Sequence, residues 1–99
     1  MEIKYELLRN ESVEVFGQTL FRIRAKTSFS FVNEGEMGGY IADEKNLSHA
    51  GNAWVSGNAW VSGNARVSGN ARVSGNARVS GDARVSGDAG VSGNAGVSG

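Results

Sequence analysis

Ninety-nine residues suffice for one domain, or for one small domain joined to a short repeat array. Ten Lys plus Arg balance ten Asp plus Glu, which argues against a dedicated nucleic-acid or anionic-membrane binder, and the absence of Cys excludes a disulfide scaffold, a zinc–thiolate site and a thiol nucleophile. Fifteen Gly without any Pro fit either an unstructured linker or a tight periodic fold.

The chain opens on acidic residues where a signal peptide would carry a basic start and a long apolar stretch, and no apolar run approaches the ~18 residues of a membrane span. A cytoplasmic protein is the expectation. Residues 1–34 alternate like an antiparallel β-meander. Ile3–Leu8 and Ser12–Val15 are strand candidates, Phe16-Gly17-Gln18 a turn, Leu20–Ala25 a third strand and Ser28–Val32 a fourth. Asn33–Glu36 and Gly38-Gly39 read as loops. Ile41 and Leu47 lie six apart, as inward positions of an imperfect first coil, and the register slips by two at Ser48-His49. Residues 1–50 are thus expected to cap the second half of the chain, with Phe16, Phe21, Phe29 and Phe31 reaching its core.

From Gly51 the sequence becomes eight registered copies of Gly-Asn/Asp-Ala-x-Val-Ser, with Gly99 beginning a ninth. Ala and Val two apart point to one side of an extended segment and x points to the other. Ser-Gly-Asn turns a corner, Gly and Asn being the residues that tolerate left-handed backbone angles. Three hexads, about eighteen residues, close a triangular coil, and successive coils stack as parallel strands roughly 4.8 Å apart. A disordered Gly/Ser tract has no reason to hold an aliphatic residue in register, and a flattened solenoid of two hexads per coil ranks below the triangular form.

Val-Ser-Gly-Asn-Ala-x over residues 51–99 resembles the hexapeptide-repeat superfamily of left-handed parallel β-helices. The segment Gly38-Gly39-Tyr40-Ile41, with Asn46-Leu47-Ser48, looks like the approach to the repeats in bacterial and prophage-encoded members, some labelled transferases by analogy of fold. The resemblance implies an all-β fold, a left-handed β-helix of about three hexads per coil behind a β-meander cap. It leaves function open, because the superfamily holds acyltransferases, carbonic anhydrase-like proteins and structural members.

The only variable column is Trp54, Trp60, Arg66, Arg72, Arg78, Arg84, Gly90 and Gly96. On the triangular coil Trp54, Arg72 and Gly90 share one face, Trp60, Arg78 and Gly96 the second, and Arg66 with Arg84 the third. The two Trp and four Arg are outer-face binding candidates, each Trp one rung from an Arg and within cation–π reach. Asp82 and Asp88 replace Asn at corners and do not make a calcium loop. Similarity to hexapeptide acyltransferases makes His49, the only histidine, a candidate general base, against the plainer reading of a polar residue in a bulged turn. One His and no Cys leave no metal site, and nothing implies a cofactor.

The sequence stops at Val97-Ser98-Gly99, inside the repeat and without a second cap, so a bare end is expected. The leading reading is a non-enzymatic structural or interaction module that forms homo-oligomers through this end (Val91, Val97, Gly99) or through its faces. An acyltransferase-like enzyme using His49 is the alternative. Recognition of ice or carbohydrate by Ser and Asn ladders is a third reading.

Overall fold

A computed structural model describes residues 3–15, 17–29, 32–49 and 51–98. Among them the chain is all β apart from one 3₁₀ turn, Glu44–Asn46, and it builds a β-solenoid of about three turns. No helix is long and apolar enough to cross a membrane.

Strand β1 (Tyr5–Val15) pairs antiparallel with β2 (Gln18–Ala25), and β2 pairs antiparallel with β3 (Met37–Ile41). The two strands expected before Gly17 are one, interrupted by a register shift between Leu8 and Ser12 that absorbs the polar Arg9-Asn10-Glu11. The strand expected over Ser28–Val32 reduces, among its described residues, to one antiparallel bridge between Phe29 and Val32. Gly38 and Gly39, expected in a loop, lie inside β3. Strand β3 is where the chain turns from antiparallel to parallel pairing, Tyr40 facing Trp60 and Ile41 facing Val61. The approach there is too close for a side chain. A Cβ on Gly39 would stand 2.4 Å from the Ala59 carbonyl oxygen, and one on Gly38 2.6 Å from that of Val55.

Eight two-residue strands follow, β4 (Trp54–Val55), β5 (Trp60–Val61), β6 (Arg66–Val67), β7 (Arg72–Val73), β8 (Arg78–Val79), β9 (Arg84–Val85), β10 (Gly90–Val91) and β11 (Gly96–Val97). Strands β4 to β8 each pair in parallel with the strand three further on, which sorts the eight into three sheets: β3-β5-β8-β11, continued by β2 and β1; β4-β7-β10; and β6-β9. Rungs are joined by bonds such as Trp54 N–H to the Ala71 carbonyl (3.1 Å) and Arg66 N–H to that of Ala83 (3.0 Å). The flattened two-hexad solenoid is excluded, because it would pair alternate strands. At the corners Gly51 through Gly93 take φ between 63° and 71°, the left-handed region that a side chain strains to enter. These glycines also stack closely, since a Cβ on Gly51 would fall 2.6 Å from the Gly69 carbonyl oxygen.

Alternation then builds the core. Ala53, Ala59, Ala65, Ala71 and Ala77, with Val55, Val61, Val67, Val73 and Val79, are wholly buried, while Arg66, Arg72, Arg78 and Arg84 are exposed. Ile41 and Leu47 occupy inward positions against Val61 and Val67, twenty residues on rather than eighteen. Ser48 N–H still bonds the Val67 carbonyl as a hexad Ser does (2.9 Å), and by Asn52 N–H to the Gly69 carbonyl (3.0 Å) the hexad step is restored, so the two extra residues come after Ser48 and before Gly51, one residue later than expected. Of the four Phe expected in this core, Phe16 and Phe31 lie outside the described residues. Phe29 packs on the core, and Phe21 stands half-buried beneath the Arg9 guanidinium. From β1 and β2 the large side chains that join this core are Tyr5 and Ile23.

Candidate functional site

Three places gather the residues that sequence reasoning singled out. The first is the outer column. Trp54, Arg72 and Gly90 are in register on one face, Trp60, Arg78 and Gly96 on the second, and Arg66 and Arg84 on the third. The two Trp, however, differ in kind. Trp54 is 4% exposed and is a core residue rather than the outer-face candidate the pattern suggested. Phe29 meets it edge-on with ring centroids 5.4 Å apart, and the Gly38 backbone closes over it. Its indole N–H finds no partner among the described residues. Trp60 remains half-exposed, with the Arg78 guanidinium 5.4 Å from its ring centroid.

The Trp60 column extends further than the hexads. Tyr40 faces Trp60 and Arg22 faces Tyr40, so Arg22, Tyr40, Trp60 and Arg78 form one cross-strand ladder. Arg22 lies 5.6 Å from the Tyr40 ring centroid and donates from Nε to the Gly38 carbonyl (3.1 Å). Tyr40 and Arg22 were missed as site residues. The twenty-residue offset of Ile41 from Val61 carries Tyr40 onto Trp60 as well, so the signal was present.

Beside the columns run corner ladders of side-chain amides. Asn52 Nδ2 donates to Asn70 Oδ1 (3.3 Å), and Asn70 Nδ2 to Asp88 Oδ1 (3.2 Å). Asn64 donates likewise to Asp82 (3.3 Å) and Asn76 to Asn94 (3.3 Å). An ionised carboxylate accepts but cannot donate onward. Asp82 and Asp88 therefore occupy the last described rung of their ladders without loss.

The second place is the junction around His49. Its Nδ1 accepts from the Lys4 backbone N–H (3.1 Å), its Nε2 lies 3.0 Å from Glu44 Oε1, and its ring stacks on Tyr5 at 4.1 Å. With Nδ1 accepting, the neutral ring carries its proton on Nε2 and donates it to Glu44. Both nitrogens are thereby engaged, leaving no lone pair to take a proton from a substrate. Lys4, 3% exposed, donates from Nζ to the Ala53 carbonyl (2.7 Å) and stands 4.7 Å from the Phe29 ring centroid. Burial pushes its pKa down to about 8. Tyr5 donates its hydroxyl to the carbonyls of Glu44 and Leu47. Burial, and then the charges of Glu44 and Asp43, hold the phenol pKa far above its ordinary value. Asn46 completes the junction. Its Oδ1 accepts from the N–H of Ala42 and Asp43, and its Nδ2 donates to the carbonyls of Gly63 and Ala65.

The third place is the last described coil. Val91 and Val97 are half-buried and Ala89 and Ala95 exposed, where their equivalents one coil earlier are fully enclosed. Gly99 lies outside the described residues. Among the described residues β9, β10 and β11 are edge strands of their sheets. No group of three or more His, Asp or Glu able to hold a metal occurs among the described residues.

A family model described as a YdcK beta solenoid repeat matches residues 59–75, 65–81, 71–87 and 77–93. Successive matches begin six residues apart, in step with the corners. The chain is similar to that repeat over residues 59–93, and its structure is a β-solenoid. No match to it was found among curated proteins.

Proposed function

We propose that the chain is a non-enzymatic structural module that associates with a second copy of itself through the last coil of its solenoid. The finer architecture in this reading is a left-handed β-helix of three hexads per coil. Residues 1–50 cap one end in this reading, where Lys4 Nζ donates to the Ala53 carbonyl, Phe29 meets the Trp54 ring edge-on and Gly38 packs against that ring. The observation that carries the proposal is the contrast at the other end. Among the described residues, the Ala and Val positions that are 0% exposed in the middle coils are exposed at 89 and 95 and half-buried at 91 and 97, beside the edge strands β9, β10 and β11. Free edges over an apolar end are a template for further strands.

Two identical ends related by a two-fold axis bring their edge strands together antiparallel and close at a dimer, whereas stacking an open end on a capped one would have to displace the cap. Each corner contributes only a short strand, so the buried area is small and the association weak. His49 supports this reading over an acyltransferase, because the general base that such an enzyme needs is occupied by Lys4 and Glu44.

Sedimentation velocity between about 1 and 100 μM is the test. A concentration-dependent monomer–dimer equilibrium is expected, with Val91→Asp and Val97→Asp each shifting it to monomer while circular dichroism stays native. A monomer throughout, or dimers indifferent to both variants, would overturn the proposal.

A further inference from the structure

Two hollows flank the Trp60 column. One, of about 600 Å³, lies toward Asn58, Asn76 and Asn94. The other, of about 390 Å³, lies toward Ser62 and Ser80 under the hairpin residues Val15 and Gln18. Trp60, Arg78 and Gly96 line both, so the two are halves of one trough crossing the face, with the Trp60–Arg78 pair as its saddle. Gly96 keeps the trough open, because the side chain that the column would place there is missing.

This face differs from the other two in charge. The corner ladders beside the Trp54 and Arg66 columns end in Asp88 and Asp82, whereas the ladder beside Trp60 is Asn throughout. Neither hollow is lined by a carboxylate. Arg78 has no ion-pair partner among the described residues. Its contact with the Trp60 ring holds the guanidinium in place through its π face and leaves the N–H fork at its edge unfilled. Asn94 accepts from Asn76 and has no recipient among the described residues for its own amide donors.

We propose that this trough binds an acidic saccharide chain. The half-exposed indole offers a flat apolar surface to the C–H face of a pyranose ring, and the amide ladder supplies donors and acceptors for hydroxyls. Rungs about 4.8 Å apart repeat on the scale of a single sugar ring. Arg78 takes the ring carboxylate through two parallel N–H···O bonds, which a lysine could not reproduce. The hairpin tip, held against the corner where Gln18 Oε1 accepts from the Gly63 N–H (3.3 Å), walls the trough on its Ser62 side.

The test is a ¹H–¹⁵N titration with tetragalacturonate, following the Trp60 indole N–H and the Asn76 and Asn94 side-chain amides. Saturable shifts confined to these signals are expected, with the Trp54 indole unmoved. Arg78→Gln and Arg78→Lys should each weaken binding by about tenfold or more, and Arg84→Gln on another face should leave it unchanged. The neutral tetrasaccharide of the same linkage should bind more weakly than the acidic one. Absence of saturable shifts up to about 10 mM ligand, tetraglutamate binding as tightly as the sugar, or an equal loss in Arg84→Gln would each overturn the proposal. Val91→Asp, which breaks the proposed dimer, should leave the titration as it is, so the two proposals fail separately.

Discussion

The repeat supplies its own controls, and Val61, Val79 and Val97 make the sharpest set. All three lie on one face in register, each two residues after an Ala and one before a Ser; the residue between Ala and Val (Trp60, Arg78 or Gly96) points outward, and the coil that holds the Val is what changes inside. Val61 and Val79 are 0% exposed and Val97 is half-buried. Val→Ala removes two carbons, worth about 0.8 kcal/mol each in transfer. An enclosed site adds a cavity penalty, because a stack of parallel strands cannot collapse around one missing side chain, so about 2–3 kcal/mol is expected at Val61 and Val79. At Val97 water reaches the gap and part of the side chain was never buried, which limits the loss to under about 1 kcal/mol. Urea denaturation of each variant at about 1 μM, with matched m-values, measures the three costs. Association adds a second reading. If a partner copy covers Val97, its cost should climb towards that of Val79 at about 100 μM, while the two inner costs stay put. Equal costs at all three positions in dilute protein would refute the reasoning, since they would mean that the last coil is as enclosed as the first.

Between pH 8 and 10.5 the unfolded chain retains the Lys4 proton and the native protein has released it, so stability should rise across that window, on the order of 2 kcal/mol by pH 10. Tyr5 acts in the opposite sense, because the native protein keeps the phenolic proton that the unfolded chain loses above pH 10; stability should therefore pass through a maximum near pH 10 and decline beyond it. Thermal melts against pH should trace this course, and Lys4→Met should lack the rise. Gly39→Ala, with its Cβ driven to 2.4 Å from a backbone oxygen, should cost more than about 2 kcal/mol, whereas Gly17→Ala, which meets no atom, should cost about 1 kcal/mol from its φ of 81° alone. Asn46→Ala takes the partner from the Gly63 and Ala65 carbonyls and from the Asp43 N–H, while the Ala42 N–H keeps the Val61 carbonyl; it should lower stability by about 2–3 kcal/mol, read from the same urea curves.

What could be read from the residues divides according to how far each environment repeats. Within the hexads every Val sees the same corner before it and the same rung above and below. Periodicity alone therefore assigns inside and outside, and it also assigns which residues share a face. Trp54 and Trp60 occupy one column of the pattern and yet have opposite fates, because what decides them is not periodic. Phe29 and the Gly38 backbone happen to close over one ring, while Tyr40 and Arg22 extend the ladder of the other without covering it. Gly38-Gly39 misled for a related reason. Paired glycines in a single sequence signal conformational freedom, whereas here they mark the absence of room at the point where antiparallel pairing gives way to parallel. His49 repeats the lesson at the level of chemistry. Glu44, five residues away, becomes its partner because a 3₁₀ turn brings that carboxylate back to Nε2, while Nδ1 is met by a backbone N–H forty-five residues distant. The candidate site left standing is the one where both kinds of information meet. Arg78 and the Asn ladder follow from the repeat, and the freedom of Trp60 beside them follows from what the first forty residues leave uncovered.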